Sequence, residues 1–156
     1  MFRRRLLMFS LLLVSGFLFF TERQAATGQL PEQLWSTNYQ QALAEAHKTN
    51  KQVLLNFTGS DWCPYCIQMD REVLDRSEFK NFALRNLILV KLDYPRRKQL
   101  PPDEVAQNKA LVEEYRIEGF PTFVLLDSSG KEIRRQVGYL EGGPSQFVKW
   151  ASITEQ

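Results

Sequence analysis

The sequence is poor in the side chains that bind metals or build disulfide networks, because its 156 residues include only two cysteines and one histidine. A structural zinc site usually takes four such ligands, so a closed zinc site is not expected. A lone bridge between Cys63 and Cys66 would close a small ring, and it would therefore stabilise the fold little. Redox chemistry is the favoured role of the pair. The alternatives are metal carriage, with Met69 as a further ligand, and a purely structural bridge.

The net charge of most of the chain is also small. Residues 1–28 contain four arginines and one glutamate and therefore carry +3, whereas the whole chain carries +2. Residues 29–156 are left with −1. Proteins that bind nucleic acid usually present a strongly basic surface, so this composition gives no support to nucleic acid as a partner.

Long apolar runs are missing after residue 20, and the one that precedes it, residues 6–20, is short. A helix of that length spans roughly 22 Å, less than the hydrocarbon core of about 30 Å. Three arginines precede the run and small or polar residues follow it, as in a secretory signal peptide. We predict that residues 1–28 are a cleaved signal peptide, with a retained N-terminal anchor as the alternative. Residues 29–156 would form one domain in a compartment where disulfides persist.

The apolar pattern of residues 29–156 alternates between helical spacing and short apolar runs, which predicts an α/β domain. Helices are predicted for 39–48, 66–74, 78–85, 103–115 and 144–151, and strands for 52–57, 87–92, 123–126 and 132–137. The second strand is nearly all apolar, as in a central parallel strand, and the last two strands form a hairpin. Thr37 or Asn38 is expected to cap the first helix, and Asp75 or Ser77 the third.

The two cysteines occur in the motif Trp62-Cys63-Pro64-Tyr65-Cys66, between a predicted strand and a predicted helix. Residues three apart lie on one face of a helix, so these thiols can form a disulfide. The first cysteine would lie at the helix N-terminus, where unpaired N–H groups and the helix dipole lower the pKa of a thiol. We therefore predict that Cys63 is the nucleophile and that Cys66 resolves the mixed disulfide.

A basic segment bounded by prolines, residues 94–102, follows the second strand. It contains Arg96, Arg97 and Lys98 in succession. Two interpretations are open, a solvated surface loop and a site that binds a partner. The composition favours the solvated loop.

A second motif, Gly119-Phe120-Pro121-Thr122, lies directly before the predicted hairpin. Together with the C-x-x-C motif and the order of elements, it makes residues 30–154 resemble the thioredoxin fold, a central mixed β-sheet flanked by helices. The resemblance implies a cis Phe120–Pro121 bond beside the cysteines. It also implies that substrate is bound by residues of both motifs: Trp62, Pro64, Tyr65, Phe120 and Pro121.

Within this family the chain resembles exported oxidoreductases of the DsbH type and the C-terminal domain of DsbD. The similarity rests on the signal segment, on Gly59-Ser60-Asp61-Trp62 before the cysteines and on the charged segment after them. It implies a periplasmic thiol:disulfide oxidoreductase that reduces protein disulfides, with the Cys63–Cys66 disulfide as its redox group and no metal or organic cofactor. Its partners would be exported protein thiols and disulfides and an upstream membrane or periplasmic redox protein. A monomer is expected.

Two departures from thioredoxins bear on the mechanism. Thioredoxins carry a buried aspartate near the end of the strand, which assists proton transfer from the second cysteine, and here Asn56 holds the matching position. Because asparagine cannot ionise, proton transfer would need water or another group, for which Asp61 and Asp70 are candidates. The dipeptide Pro64-Tyr65 is the one seen in glutaredoxins, so a glutathione-dependent reductase is the alternative function.

Overall fold

A mixed five-stranded β-sheet organises the computed structural model, which describes residues 34–152. The spatial order of the strands is β1-β3-β2-β4-β5. β3 runs parallel to β1 and β2, whereas β4 runs antiparallel to both β2 and β5. The strands are β1 Trp35–Ser36, β2 Gln52–Thr58, β3 Leu87–Asp93, β4 Thr122–Leu126 and β5 Glu132–Val137. The predicted signal peptide lies outside the described residues.

Helices cover both faces of this sheet. They are α1 Tyr39–Thr49, α2 Pro64–Met69, α3 Ser77–Asn86, α4 Pro102–Glu114 and α5 Gly143–Ala151. A π-helical turn, Asp70–Leu74, continues α2. The predicted thioredoxin fold, a central mixed sheet flanked by helices, is therefore confirmed.

The alternation of side chains along β2 divides the interior into two cores. Val53, Leu55 and Phe57 point to the face that α1 and α4 cover, where their side chains are fully buried. Leu54 points to the opposite face, which is covered by α2, the π-helical turn, α3 and α5. Asn56 follows Leu54 by two residues and so shares its face. This alternation places Asn56 on the same side of the sheet as the helix that begins after Cys63.

The structure corrects the sequence prediction in three places. A two-residue strand, β1, precedes the first helix and pairs with β3, although no strand was predicted there. The redox helix begins at Pro64 and widens into a π-helical turn at Asp70, where a single α-helix was predicted. Neither Asp75 nor Ser77 caps α3, because Arg76 holds the N-cap position without a side-chain hydrogen bond. The cap of α1 is as predicted, since Asn38 Oδ1 accepts the Gln41 N–H at 2.9 Å.

Between residues 34 and 152, no helix combines the length and the apolar character needed to cross a membrane.

Candidate active site

The approach to the cysteines is fixed by a tight turn after β2. The Gly59 carbonyl oxygen accepts the N–H groups of Trp62 at 3.3 Å and Cys63 at 2.9 Å. Trp62 packs so closely over this turn that a Cβ added to Gly59 would lie 2.5 Å from the indole ring. Glycine is therefore required at this position, and the turn presents Cys63 at the start of α2.

Cys63 and Cys66 form a disulfide with their Cα atoms 5.2 Å apart. Cys63 is the N-cap residue of α2, and its Sγ accepts the backbone N–H of Cys66 at 3.2 Å. Pro64 occupies the first turn, where its missing N–H costs nothing. Both sulfur-bearing residues are buried, at 4% exposure for Cys63 and 1% for Cys66. The helix start thus directs an N–H group, and the positive end of its dipole, at the sulfur of Cys63.

The second predicted motif lies against the cysteines. The Phe120–Pro121 peptide bond is cis, and the carbonyl oxygen of Phe120 lies 3.6 Å from Cys63 Sγ. The Phe120 ring contacts the edge of the Trp62 ring, with centroids 5.9 Å apart. Thr122 Oγ1 donates to the Gly119 carbonyl at 2.8 Å and closes the turn. The structure therefore brings Trp62, Phe120 and Pro121 to one side of the disulfide.

Two side chains of the redox helix face outward beside the disulfide. Tyr65 is 62% exposed and Ile67 is 46% exposed, which is high for large apolar side chains. Pro64 is also exposed. These residues give the disulfide an apolar rim that a partner protein can cover.

Asn56 lies deep in the sheet on the side of α2. It is 1% exposed, and its Oδ1 has no hydrogen-bond partner among the described residues. Its neighbours in register are Lys91 on β3 and Phe123 on β4. A buried carbonyl oxygen without a partner is uncommon in folded proteins.

Asp70 lies one turn after Cys66 and pairs with Lys91, with Oδ2 and Nζ 3.5 Å apart. Burial raises the pKa of Asp70 above its ordinary value, and the Lys91 charge offsets only part of this effect. Lys91 was missed by the sequence analysis. Its signal was available, because it is the one charged residue between Leu87 and Leu92 in an otherwise apolar strand.

Asp61 has a different environment, although it precedes Cys63 by only two residues. Its carboxylate accepts the backbone N–H groups of Arg96 at 2.9 Å, Arg97 at 2.7 Å and Lys98 at 3.3 Å. The Arg96 N–H contributes most to holding the pKa of Asp61 below its ordinary value. These contacts give Asp61 the role of fixing the basic segment. Its proposed part in proton transfer stays a prediction.

No group of three or more histidine, cysteine, aspartate or glutamate side chains that could hold a metal ion occurs in the described part of the chain.

Comparison with known proteins places this geometry in a family. A family model described as a thioredoxin-like domain matches residues 39–152. The chain belongs to the thioredoxin-like family. The match covers strands β2 to β5, both motifs and every helix described above.

Two relatives of this thioredoxin-like protein are similar enough to compare in detail. It is 38% identical over 111 residues to the disulfide bond reductase DsbH of Chlamydia pneumoniae, a match that covers 71% of this chain and 66% of the relative. It is 27% identical to the thiol:disulfide interchange protein DsbD of Actinobacillus pleuropneumoniae, over 70% of this chain and 18% of that protein. The match thus spans just under two thirds of the DsbH relative and a small part of DsbD.

Solved structures agree with these relatives. A structure of the DsbH oxidoreductase matches with a TM-score of 0.70 and 37% identity, over 74% of this chain and 79% of that one. The C-terminal domain of DsbD from Neisseria meningitidis, in the oxidised form, matches with a TM-score of 0.53 and 22% identity, over 71% and 88%. The second match shows a shared fold. The resemblance to DsbH and to the C-terminal domain of DsbD that the sequence predicts is therefore confirmed.

Proposed function

We propose that the protein is an exported thiol:disulfide oxidoreductase that reduces disulfides of other proteins through Cys63 and Cys66. The observation that carries this proposal is the N-cap position of Cys63, whose sulfur accepts the Cys66 N–H at 3.2 Å. The same contact stabilises a thiolate at Cys63 when the pair is reduced, and the thiolate is the nucleophilic form.

The reaction begins when the Cys63 thiolate attacks one sulfur of the substrate disulfide. That S–S bond breaks, the other substrate sulfur leaves as a thiolate, and a mixed disulfide links Cys63 to the substrate. Cys66 then loses its proton and attacks Cys63 Sγ, which releases the second substrate thiolate. Two electrons have passed to the substrate and two protons complete its thiols. The Cys63–Cys66 disulfide of the structure corresponds to the oxidised end state.

The proton of Cys66 passes toward the Asp70–Lys91 pair in this mechanism. The position of Asp70 one turn after Cys66 and the raised pKa of its carboxyl support this role, because a base with a pKa nearer neutrality exchanges protons more effectively. The buried Asn56 Oδ1, which has no partner among the described residues, is a candidate acceptor for the Cys66 S–H in the reduced protein.

Substrate segments bind along the Phe120 backbone and contact Trp62, Pro64, Tyr65 and Pro121. Support comes from the Phe120 carbonyl, 3.6 Å from Cys63 Sγ, because an extended substrate chain can pair with exposed backbone as an added strand does.

The compartment and the direction of electron flow complete the proposal. Export is supported by the signal-like composition of residues 1–28. Reduction is supported by the name of the DsbH relative, a disulfide bond reductase. The protein then needs an upstream donor, in the membrane or in the periplasm, that returns two electrons to the pair.

The test uses reduced protein and a disulfide substrate such as insulin. We expect Cys66→Ser to accumulate a mixed disulfide with the substrate. Cys63 still attacks the substrate, but no second thiol is present to resolve the mixed disulfide. The matched variant Cys63→Ser should form no adduct and reduce nothing. Wild-type rates in Cys63→Ser would sink the proposal. Full activity of Cys66→Ser with glutathione present would instead favour a glutathione-dependent reductase, and tight equimolar metal binding by the reduced protein would favour a metal carrier.

The equilibrium reduction potential of the pair decides the direction. A value of about −270 mV, as in thioredoxin, is the expected result for a reductant. A value of about −120 mV, as in strong oxidants, would make the protein a disulfide donor instead.

A further inference from the structure

Residues 95–101, the middle of the basic segment, form a basic loop that contacts Trp62 of the redox motif. It follows β3 and contains Arg96, Arg97 and Lys98, all exposed. Its backbone is held by the Asp61 carboxylate, which accepts three consecutive N–H groups from these residues. A merely solvated loop needs no such attachment, so the position of these charges is built into the fold.

Trp62 fixes the start of the loop to the redox motif. Its Nε1–H donates to the Tyr94 carbonyl oxygen at 2.7 Å. The Arg96 guanidinium carbon lies 3.9 Å from the centroid of the Trp62 ring, as in a cation–π contact. Stacking occupies the flat face of the guanidinium and leaves its N–H edges available for a ligand. Arg96 is thus stacked on Trp62, the residue that directly precedes Cys63.

The charges of the loop are only partly neutralised. Lys98 Nζ is paired with Asp93 Oδ2 at 2.7 Å, and Ser60 donates to the same carboxylate. Within residues 34–152, neither the Arg96 nor the Arg97 guanidinium contacts a carboxylate. Residues 29–156 as a whole carry −1, so this local positive charge is not a general property of the surface.

A cavity on the other side of Tyr94 extends this surface. It measures about 420 Å³, and its lining includes apolar side chains, the basic side chains of Lys98 and Lys109, and the carboxylate of Asp93 that pairs with Lys98. The Tyr94 ring also contacts Phe120, with centroids 5.0 Å apart. Tyr94 thus links the cavity to Phe120, whose carbonyl oxygen lies 3.6 Å from Cys63 Sγ.

We propose that the basic loop binds acidic residues that flank the target disulfide, so that the protein selects acidic polypeptide segments as its substrates. This inference rests on the thiol–disulfide exchange proposed above. Arginine is suited to the role because its planar guanidinium can donate two parallel hydrogen bonds to one carboxylate. An acidic segment that approaches Cys63 meets Arg96 and Arg97 first, and its apolar side chains can enter the cavity beside Tyr94. Complementary charge of this kind raises the rate of encounter and discriminates among partners.

The experiment compares three synthetic peptides, each with the same disulfide, flanked by glutamates, by serines or by lysines. The second-order rate constant for reduction by the reduced protein is measured at low and at physiological salt. We expect the glutamate peptide to react about tenfold faster than the lysine peptide at low salt, and the ratio to shrink as salt screens the charges. The variant Arg96→Glu/Arg97→Glu should invert this order, and Arg96→Gln/Arg97→Gln should bring the ratio close to one.

The matched control is Arg85→Glu/Lys131→Glu, which changes net charge equally at the opposite end of the sheet. Arg85 precedes the start of β3, and Lys131 lies in the turn after β4. This control should keep the preference for the glutamate peptide. A ratio that is unchanged in the loop variants, or that changes equally in the control, would overturn the inference. Failure of the wild type to reduce even the serine peptide would instead contradict the proposed function.

Discussion

The amino group of Lys91 lies 3.5 Å from a carboxylate oxygen of Asp70, on the side of the sheet that α2 covers. Lys91 is also the register neighbour of Asn56, so the ion pair adjoins the buried amide beneath the redox helix. Both charged side chains are about a third exposed, which keeps the pair in contact with water. We predict that this pair passes a proton between the resolving thiol and solvent.

The variant Asp70→Asn tests this role. We expect the attack of Cys66 on the mixed disulfide to slow by about tenfold at neutral pH, less than the 10²–10⁴-fold typical of acid–base groups because water can replace the carboxylate in part. Reaction of the reduced protein with an aromatic disulfide such as dithiobis(nitrobenzoate) separates the attack of Cys63 from the attack of Cys66. The first thiolate released reports Cys63 and should be unchanged, and the second reports Cys66 and should be slow.

The control for this variant is Asp75→Asn, since Asp75 ends the same π-helical turn but is exposed and paired with Lys80 at 3.3 Å. Both released thiolates should appear at wild-type rates in the control. Equal rates of the second step in Asp70→Asn and wild type, at every pH between 5 and 8, would show that Asp70 takes no part in the transfer.

Asn56→Asp would place a carboxylate in the site next to the Asp70–Lys91 pair. Burial and the neighbouring negative charge should raise the pKa of the new carboxyl above its unfolded value of about 3.9. A raised folded-state pKa means that stability is greatest below the unfolded pKa and is lost as the pH rises through the folded one. We expect a loss of about 1–3 kcal/mol at pH 8 relative to pH 5, measured by urea unfolding.

In the same variant, the rate of the second thiolate release should gain an additional dependence on pH. The neutral variant Asn56→Ser is the control, because it removes the amide without adding a charge and should show no such pH dependence of stability. A stability difference between the two variants that is the same at pH 5 and pH 8 would mean that the site is open to water.

The parts of the fold that were predictable from the sequence are those with long-range periodicity. The five predicted helices and four of the strands recur in the structure because apolar spacing marks a buried face over many residues. β1 was not predictable, since two residues have no periodicity. The π-helical turn was not predictable either, because it differs from an α-helix only in its hydrogen-bond partners.

The candidate site shows the same division. The motif at Cys63 and Cys66 was recognisable because its chemistry requires that spacing. The attachment of the basic loop to Asp61 was not recognisable from the sequence. Asp61 binds backbone N–H groups some 35 residues away, and any residue but proline supplies such a group. Asp61 was therefore assigned a proton-transfer role on its proximity to Cys63 in sequence, and its observed contacts lie with the loop.

Asp61→Ala should loosen the basic loop. The variant loses three hydrogen bonds to a charged carboxylate, which are stronger than hydrogen bonds between neutral groups. Opening of the loop should then be about tenfold more frequent. Trypsin cleaves after arginine and lysine, so limited digestion at neutral pH should cut the variant at Arg96, Arg97 or Lys98 about tenfold faster.

Fragment masses identify the cut site in that experiment. Glu45→Ala, which removes an exposed carboxylate of α1, should be cut at the wild-type rate. Because three N–H groups lower the pKa of Asp61, its contacts persist above the ordinary aspartate pKa and weaken only as the pH falls below it. Faster cleavage elsewhere in the chain, with the loop still protected, would contradict the assigned role.

Phe147 links α5 to the redox side of the sheet, and its removal should be the costliest change considered. It is fully buried, with its ring centroid 4.9 Å from Phe123, 5.6 Å from Phe79 and 5.0 Å from Trp150. Phe147→Ala leaves a cavity among rings that cannot close it, so we expect a loss of about 3–5 kcal/mol in the free energy of unfolding, measured with urea on the oxidised protein.

The control is Val137→Ala, at a position 62% exposed on β5, which should change stability by no more than about 0.5 kcal/mol. A loss below about 1 kcal/mol for Phe147→Ala would mean that α5 contributes little to the core. Because α5 packs in the same core cluster as Met69 of the redox helix, a large loss would show that the packing of that helix depends on α5.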